Sequence, residues 1–156
     1  MEKITQPSPE AWLEKFRFST SIRTRFCETD AFGHINNVSY FIYFEQARVE
    51  YLRELALESE MLRNKEFFVV TADLYCQYLA ELYFGDQLDV KLRATRVRNS
   101  SFDFEYAIVR PKDGKIAAAG RGAIVFMNRN TKKSMRIPEH LKEKLYEYEP
   151  DLQTEA

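Results

Sequence analysis

The chain has 156 residues, 45% of them apolar and 30% charged, and a formal net charge of −1. That length suits one domain over residues 1–156 with a core of its own, and the charge balance gives no reason to expect a nucleic-acid partner. Glycine and proline are scarce, five of each, so loose chain is expected only at the ends, as an arm over residues 1–10 and a tail over 149–156.

The two cysteines, Cys27 and Cys76, form no CxxC pair, and no histidines stand at zinc spacing. No metal site is therefore expected, and a reduced compartment is the simplest setting. The first residues, MEKITQPSPEAW, hold no apolar signal core, and no run is apolar for a membrane span. A cytoplasmic location without a membrane span is expected. The charge is uneven. Between Lys91 and Arg136 twelve Lys or Arg face three acids, a net of +9 against −10 elsewhere. Such an excess fits an anionic partner, and equally fits strand exteriors that carry cations.

In chain order, Glu10–Lys15 suits a short helical turn. Phe18 to Phe26 alternates apolar and polar residues and predicts a strand. A loop over 28–36 follows, with Gly33 in it. Residues 37 to about 58 carry the only long helical pattern, with Asn36 or Asn37 as N-cap. Val38, Phe41, Ile42, Val49, Leu52 and Ala56 share one face, and Gln46, Glu50 and Arg53 form a polar strip. Tyr40, Tyr43, Phe44, Ala47 and Tyr51 fill much of the rest, so the helix is expected to be largely enclosed. The period then changes to two. Strands are expected over Phe67–Leu79, with an irregularity near Tyr75, over Leu88–Arg98, over Phe102–Ile108 and over Ile116–Met127. A PKDGK turn at 111–115 joins the last two. Small residues at 117–120 and at Gly122 allow something to approach the last strand closely. A final helix is expected from Glu139 to about Glu147. One long helix followed by antiparallel strands predicts an α+β fold, a sheet around the helix.

Chemistry concentrates in residues 25–40, RFCETDAFGHINNVSY. Asp30, His34, Asn36 and Asn37 lie there between a strand and the start of the helix. A helix N-terminus offers unpaired N–H groups and a positive dipole end. An oxyanion forming at a thioester carbonyl needs such donors. A nearby carboxylate can attack that carbonyl or activate water. On chemistry alone, Asp30 is equally an Asx-turn or capping residue, His34 a hydrogen-bonded loop residue and Asn37 a cap. His140 reads as surface. Glu45 falls in the middle of the apolar arc, so partial burial is expected, with Arg48 as its partner. It is a structural pair with Arg48 or a second catalytic carboxylate.

The run ETDAFGHINNVSYFIYFEQAR, residues 28–48, resembles the hallmark of the 4-hydroxybenzoyl-CoA thioesterase-like family, and also a stretch of plant acyl-carrier-protein thioesterases. The resemblance implies a hotdog fold and hydrolysis of an acyl-CoA or acyl-carrier thioester to an acid and a thiol. No cofactor is required, CoA being part of the substrate. By position, Asp30 matches the catalytic aspartate, Asn37 the helix-start N–H and His34 the histidine of the acyl-carrier enzymes. Phe32 stands where those enzymes have asparagine, and Phe26 where some members have tyrosine. Arg96, Arg98, Arg121 and Arg129 become candidates for CoA, and self-association as a dimer or tetramer is implied, with the pocket at the interface. Two further readings keep the motif: a hotdog enoyl-CoA hydratase or dehydratase using Asp30 and His34, and an acyl-CoA-binding protein without turnover.

Overall fold

The computed structural model describes residues 2–154. In chain order come α1 (Pro9–Glu14), β1 (Phe18–Arg23), a 3-10 turn (Phe26–Glu28), α2 (Asn37–Glu54) and α3 (Glu58–Arg63). Then follow β2 (Phe67–Tyr78), β3 (Gln87–Val97), β4 (Ser101–Arg110), β5 (Lys115–Asn128), α4 (Glu139–Tyr148) and β6 (Gln153–Thr154). One sheet runs β1-β3-β4-β5-β2 with antiparallel pairing throughout, and β6 pairs parallel with β3. The inner face of this sheet covers α2, which is the hotdog arrangement of an α+β chain.

The strands follow the period-two pattern because alternate residues are buried. Leu88, Val90, Leu92 and Ala94 of β3 face inward beside Phe102, Phe104 and Tyr106 of β4. β1 is shorter than expected. It ends at Arg23, and the chain then turns at 26–28, which leaves Phe26 74% exposed. The irregularity in β2 lies between Thr71 and Asp73 rather than near Tyr75. There the extra residue shifts the inward face from Val69 to Leu74.

α2 begins at Asn37 as expected but stops at Glu54. Ala56 adopts a left-handed φ of 57°, and a separate helix starts at Glu58. Its buried face is Tyr40, Tyr43, Phe44, Ala47, Tyr51 and Leu52. The expected face is only partly used, since Val38 is 57% and Ile42 47% exposed. So much of the helix is apolar that its period cannot choose a side. The sheet chooses, because Gly120 opens a socket for Phe44. A Cβ at Gly120 would lie 2.7 Å from the Phe44 ring, and that ring stacks on Tyr106 at 4.6 Å between centroids.

The N-terminal segment is not a loose arm. Ile4 packs with Trp12, its N–H donates to Gln77 Oε1 at 3.0 Å, and Thr5 is buried. The reason is α1, capped by Ser8, which lays Trp12 and Phe16 on the outer sheet face over Ala107, Val109 and Ala119. The tail is tied down as well. Glu149 is buried and its carboxylate accepts from Tyr51 at 2.7 Å and from the Ala94 N–H at 3.2 Å, while residues 153–154 pair with Arg96 and Val97. Burial holds Glu149 above the usual carboxylate range, and the bond from Tyr51 opposes this. Met1 of the expected arm and residues 155–156 of the expected tail lie outside the described residues.

Candidate active site at the start of the long helix

The loop between β1 and α2 folds back on itself. The Asp30 N–H donates to the His34 carbonyl at 3.1 Å, the Gly33 N–H returns to the Asp30 carbonyl at 3.2 Å, and Thr29 bridges Ile35. Gly33 turns the chain at φ 88°, a conformation that favours glycine. Asp30 Oδ1 accepts from the Phe32 N–H at 2.9 Å, which is an Asx-turn. Its other oxygen, Oδ2, lies 3.9 Å from His34 Nδ1. The structural role expected of Asp30 and a chemical one thus use different oxygens of one carboxylate.

Asn36 caps the helix. Its side chain accepts from the Val38 N–H at 3.2 Å, and its carbonyl accepts from the Ser39 N–H at 3.0 Å. Asn37 comes between them, and its N–H has no acceptor among the described residues. The Asn37 carbonyl accepts from the Tyr78 hydroxyl at 2.8 Å. Around these groups opens a cavity of about 470 Å³. Asp30, His34 and Asn37 line it together with Tyr40, Tyr78, Leu79 and Glu81. Asp30 and the first residue of the helix therefore line one partly apolar space. The N–H end of the helix favours negative charge there.

Glu81 also lines the cavity, whereas the cavity's two tyrosines stay neutral at neutral pH. Burial pushes Tyr40 up to about 12. Burial does the same to the thiol of Cys76, also to about 12. Tyr78 is raised, first by burial and then by its neighbour Cys76. Cys76 packs against the core, and its burial disfavours the thiolate.

Asp30, His34 and Asn37 come together as expected. Glu45 does not join them. It is not among the residues lining the cavity, and its side chain is 71% exposed, 3.9 Å from Arg48. The expected partial burial fails because the helix turns its aromatic side, not the arc centred on Glu45, to the sheet. Arg48 is the partner that is covered, at 12% exposure, and it donates to the Tyr106 hydroxyl at 3.1 Å.

The four candidate arginines do not act as one group. Arg96, Arg98 and Arg121 line a larger groove of about 1190 Å³ on the outer face of the sheet. None of the lining residues of that groove lines the Asp30 cavity. Arg129 lies elsewhere, beside the start of β2. It donates to the Asn64 carbonyl at 2.7 Å and sits over the Phe68 ring. Among the described residues, no group of three or more His, Cys, Asp or Glu is placed to hold a metal, and no helix is long and apolar enough to cross a membrane.

Sequence reasoning missed Tyr78 and Leu79, which reach the site from a strand some forty residues away. It also passed over Glu28, a second acid two residues before Asp30 in the motif, which the structure buries.

Residues 24–145 match the family model described as the thioesterase-like superfamily. The chain is 32% identical over 142 residues to the uncharacterized protein YsmA of Bacillus subtilis, covering 91% of this chain and 93% of that one. It is 30% identical over 94 residues to the acyl-CoA thioesterase YbgC of Haemophilus influenzae, over 60% of this chain and 69% of the relative. Among solved structures, the PA5185 protein of Pseudomonas aeruginosa superposes with a TM-score of 0.76 at 30% identity, over 86% of this chain and 92% of that one. With a matched stretch that includes the Asp30 loop, the long helix and strands β2 to β5, the chain belongs to the thioesterase-like superfamily.

Proposed function

We propose that this chain hydrolyses an acyl-CoA or acyl-carrier thioester at Asp30. The observation that carries this reading is that Asp30 and Asn37, whose N–H has no acceptor among the described residues, line the same cavity. With the thioester oxygen on that N–H, Asp30 takes a proton from water and the resulting hydroxide adds to the carbonyl carbon. The oxyanion collapses, the carbon–sulfur bond breaks, and the thiolate recovers the proton, giving an acid and a thiol. Direct attack by Asp30 on the same carbon gives an acyl anhydride that water then opens, with the same products. The apolar wall of Tyr40, Tyr78 and Leu79 receives the acyl group. CoA is substrate, and the mechanism requires no metal or cofactor. The two free cysteines support a reducing, cytoplasmic setting.

The working unit in this reading is a dimer. β2 is an edge strand, and α2 shows Val38 and Ile42 to solvent. An open edge and an apolar stripe together suit a second copy. Antiparallel pairing of two β2 edges would set the Phe67 end of one copy beside the Tyr78 end of the other. Arg129, whose N–H donates to the Glu66 carbonyl at 2.9 Å, would travel with the Phe67 end toward the Asp30 cavity. Among the four arginines it is thus the one proposed for the CoA phosphates.

The test is thiol release from a panel of acyl-CoA and acyl-carrier substrates, with Asp30→Asn as the control. Turnover by the parent and a loss of about 10²–10⁴-fold in the folded variant are expected. Full turnover by Asp30→Asn would overturn the site. Single turnover in ¹⁸O water separates the two routes: direct attack, with water opening the anhydride at the Asp30 carbonyl, labels Asp30 and leaves the acid unlabelled, whereas water activation labels the acid. The Asp30–His34 approach of 3.9 Å also suits hydration of an enoyl thioester. Enoyl-CoA hydration without thiol release would favour that reading.

A further inference from the structure

Glu28 is a motif carboxylate that the chemistry above does not use. It lies two residues before Asp30, at the end of the 3-10 turn, and is only 6% exposed. Burying a carboxylate is costly unless donors replace its water. Here they do. Oε1 accepts from the Arg25 N–H at 2.7 Å and from the Tyr43 hydroxyl at 2.9 Å. Oε2 accepts from the Arg25 guanidinium, at 3.3 Å from Nε and 3.1 Å from the terminal nitrogen.

The main chain of Glu28 is engaged too. Its carbonyl accepts from the Asn36 N–H at 2.8 Å and from the Ser39 hydroxyl at 3.4 Å. Tyr43 is part of the buried face of α2, so its hydroxyl is held by the core. Glu28 thereby joins the loop to α2 twice. The side chain reaches the second turn, and the backbone reaches the cap. Asp30 follows the first tie by two residues, and Asn37 follows Asn36 of the second by one. Between the ties the loop has its own internal bonds, which connect Asp30 to both attachments.

We propose that Glu28 is a positioning residue. Through Tyr43 and the Arg25 N–H it sets where the Asp30 carboxylate stands relative to the Asn37 N–H. It does not touch the reacting atoms. The proposal rests on the hydrolase reading above. Its force is geometric, since a displacement of about 1 Å at reacting groups costs roughly 10²-fold in rate.

The experiment uses the full chain with Tyr43→Phe, Glu28→Ala and Glu28→Gln, beside Asp30→Asn. For each, kcat and KM for an acyl-CoA turned over by the parent are measured with Tm, at a temperature where circular dichroism shows the variant folded. Tyr43→Phe keeps the ring in the core and is expected to lower kcat about 10-fold, with KM within about two-fold. Glu28→Ala is expected to lose about 10²-fold in kcat. Glu28→Gln keeps an acceptor oxygen for Tyr43 and the Arg25 N–H, and is expected to recover most of that loss. A lower Tm with kcat of Tyr43→Phe within two-fold of the parent overturns the proposal, because a merely structural staple behaves that way. A change confined to KM overturns it as well. Should Glu28→Ala fail to fold, Tyr43→Phe decides alone. Full turnover by Asp30→Asn instead removes the hydrolase reading, and this proposal with it.

Discussion

The groove on the outer sheet face holds about 1190 Å³ and the cavity at Asp30 about 470 Å³, yet the smaller one is the proposed site. In the groove, charges answer one another across the strands. Arg93 meets Glu105 at 2.9 Å, Arg98 meets Asp103, and Trp12 donates to Glu105 at 2.8 Å. At the helix start, the Asn37 N–H is unanswered among the described residues, and Asp30 Oδ2 has only His34 Nδ1 near it, at 3.9 Å. A reactive site needs groups whose partner is the substrate, and large volume does not supply them. The groove is what an open sheet looks like when its outer residues pair among themselves.

The sharpest break of that contrast is Asn37→Pro. Asn37 is the first helical residue, where proline fits, and Asn36 before it already has φ −60° and ψ 138°, which proline requires of its predecessor. The change deletes the N–H and leaves the helix intact. A loss of about 10²–10³-fold in kcat is expected, read by thiol release, with far-UV circular dichroism unchanged. Arg121→Ala in the groove is expected to leave kcat within about two-fold by the same assay, because solvated surface charge contributes little. Equal losses in the two would erase the distinction between the cavities.

Next in size is Gly120→Ala, which probes the socket that orients α2. The new Cβ would meet the Phe44 ring at 2.7 Å and the Tyr75 carbonyl at 3.1 Å. Denaturant unfolding should show a loss of about 1–3 kcal/mol from overpacking. Unchanged stability would mean that the helix is not oriented by this contact. Arg129→Ala is expected to raise KM for an acyl-CoA roughly 5-fold, about 1 kcal/mol, with kcat held. The same variant assayed with a CoA-free thioester should match the parent.

The smallest effect expected is at Glu149. Its folded pKa is raised by burial, so its contribution to stability is fully present below the unfolded carboxylate value. That contribution fades as pH rises through the folded one. Glu149→Gln keeps an acceptor for Tyr51 and removes the titration. Its Tm should fall less than that of the parent between acid and neutral pH, and lie at or above it at pH 7. A Tm well below the parent at pH 7 would mean that the charged form is the stabilised one.

Much of the candidate site was legible because it is local. Asp30, His34 and Asn37 lie within eight residues of one another, and an Asx-turn, a glycine turn and an N-cap follow from residue types at short spacing. The strands and the Asp-Gly turn were legible for the same reason, since alternation is written residue by residue. The face of α2 was not. With apolar side chains around most of the helix, periodicity leaves its rotation open, and only Gly120 and the inward residues of β3 and β4 decide it. That rotation exposed Glu45, covered Arg48 and brought Tyr43 to Glu28. The wall of Tyr78 and Leu79, the separation of Arg129 from the other three arginines and the tethered ends were likewise settled by packing between distant segments. The amino-acid order by itself determined which groups stand at the helix start. The tertiary structure decided what they face, because side-chain burial is shared among segments far apart in the chain.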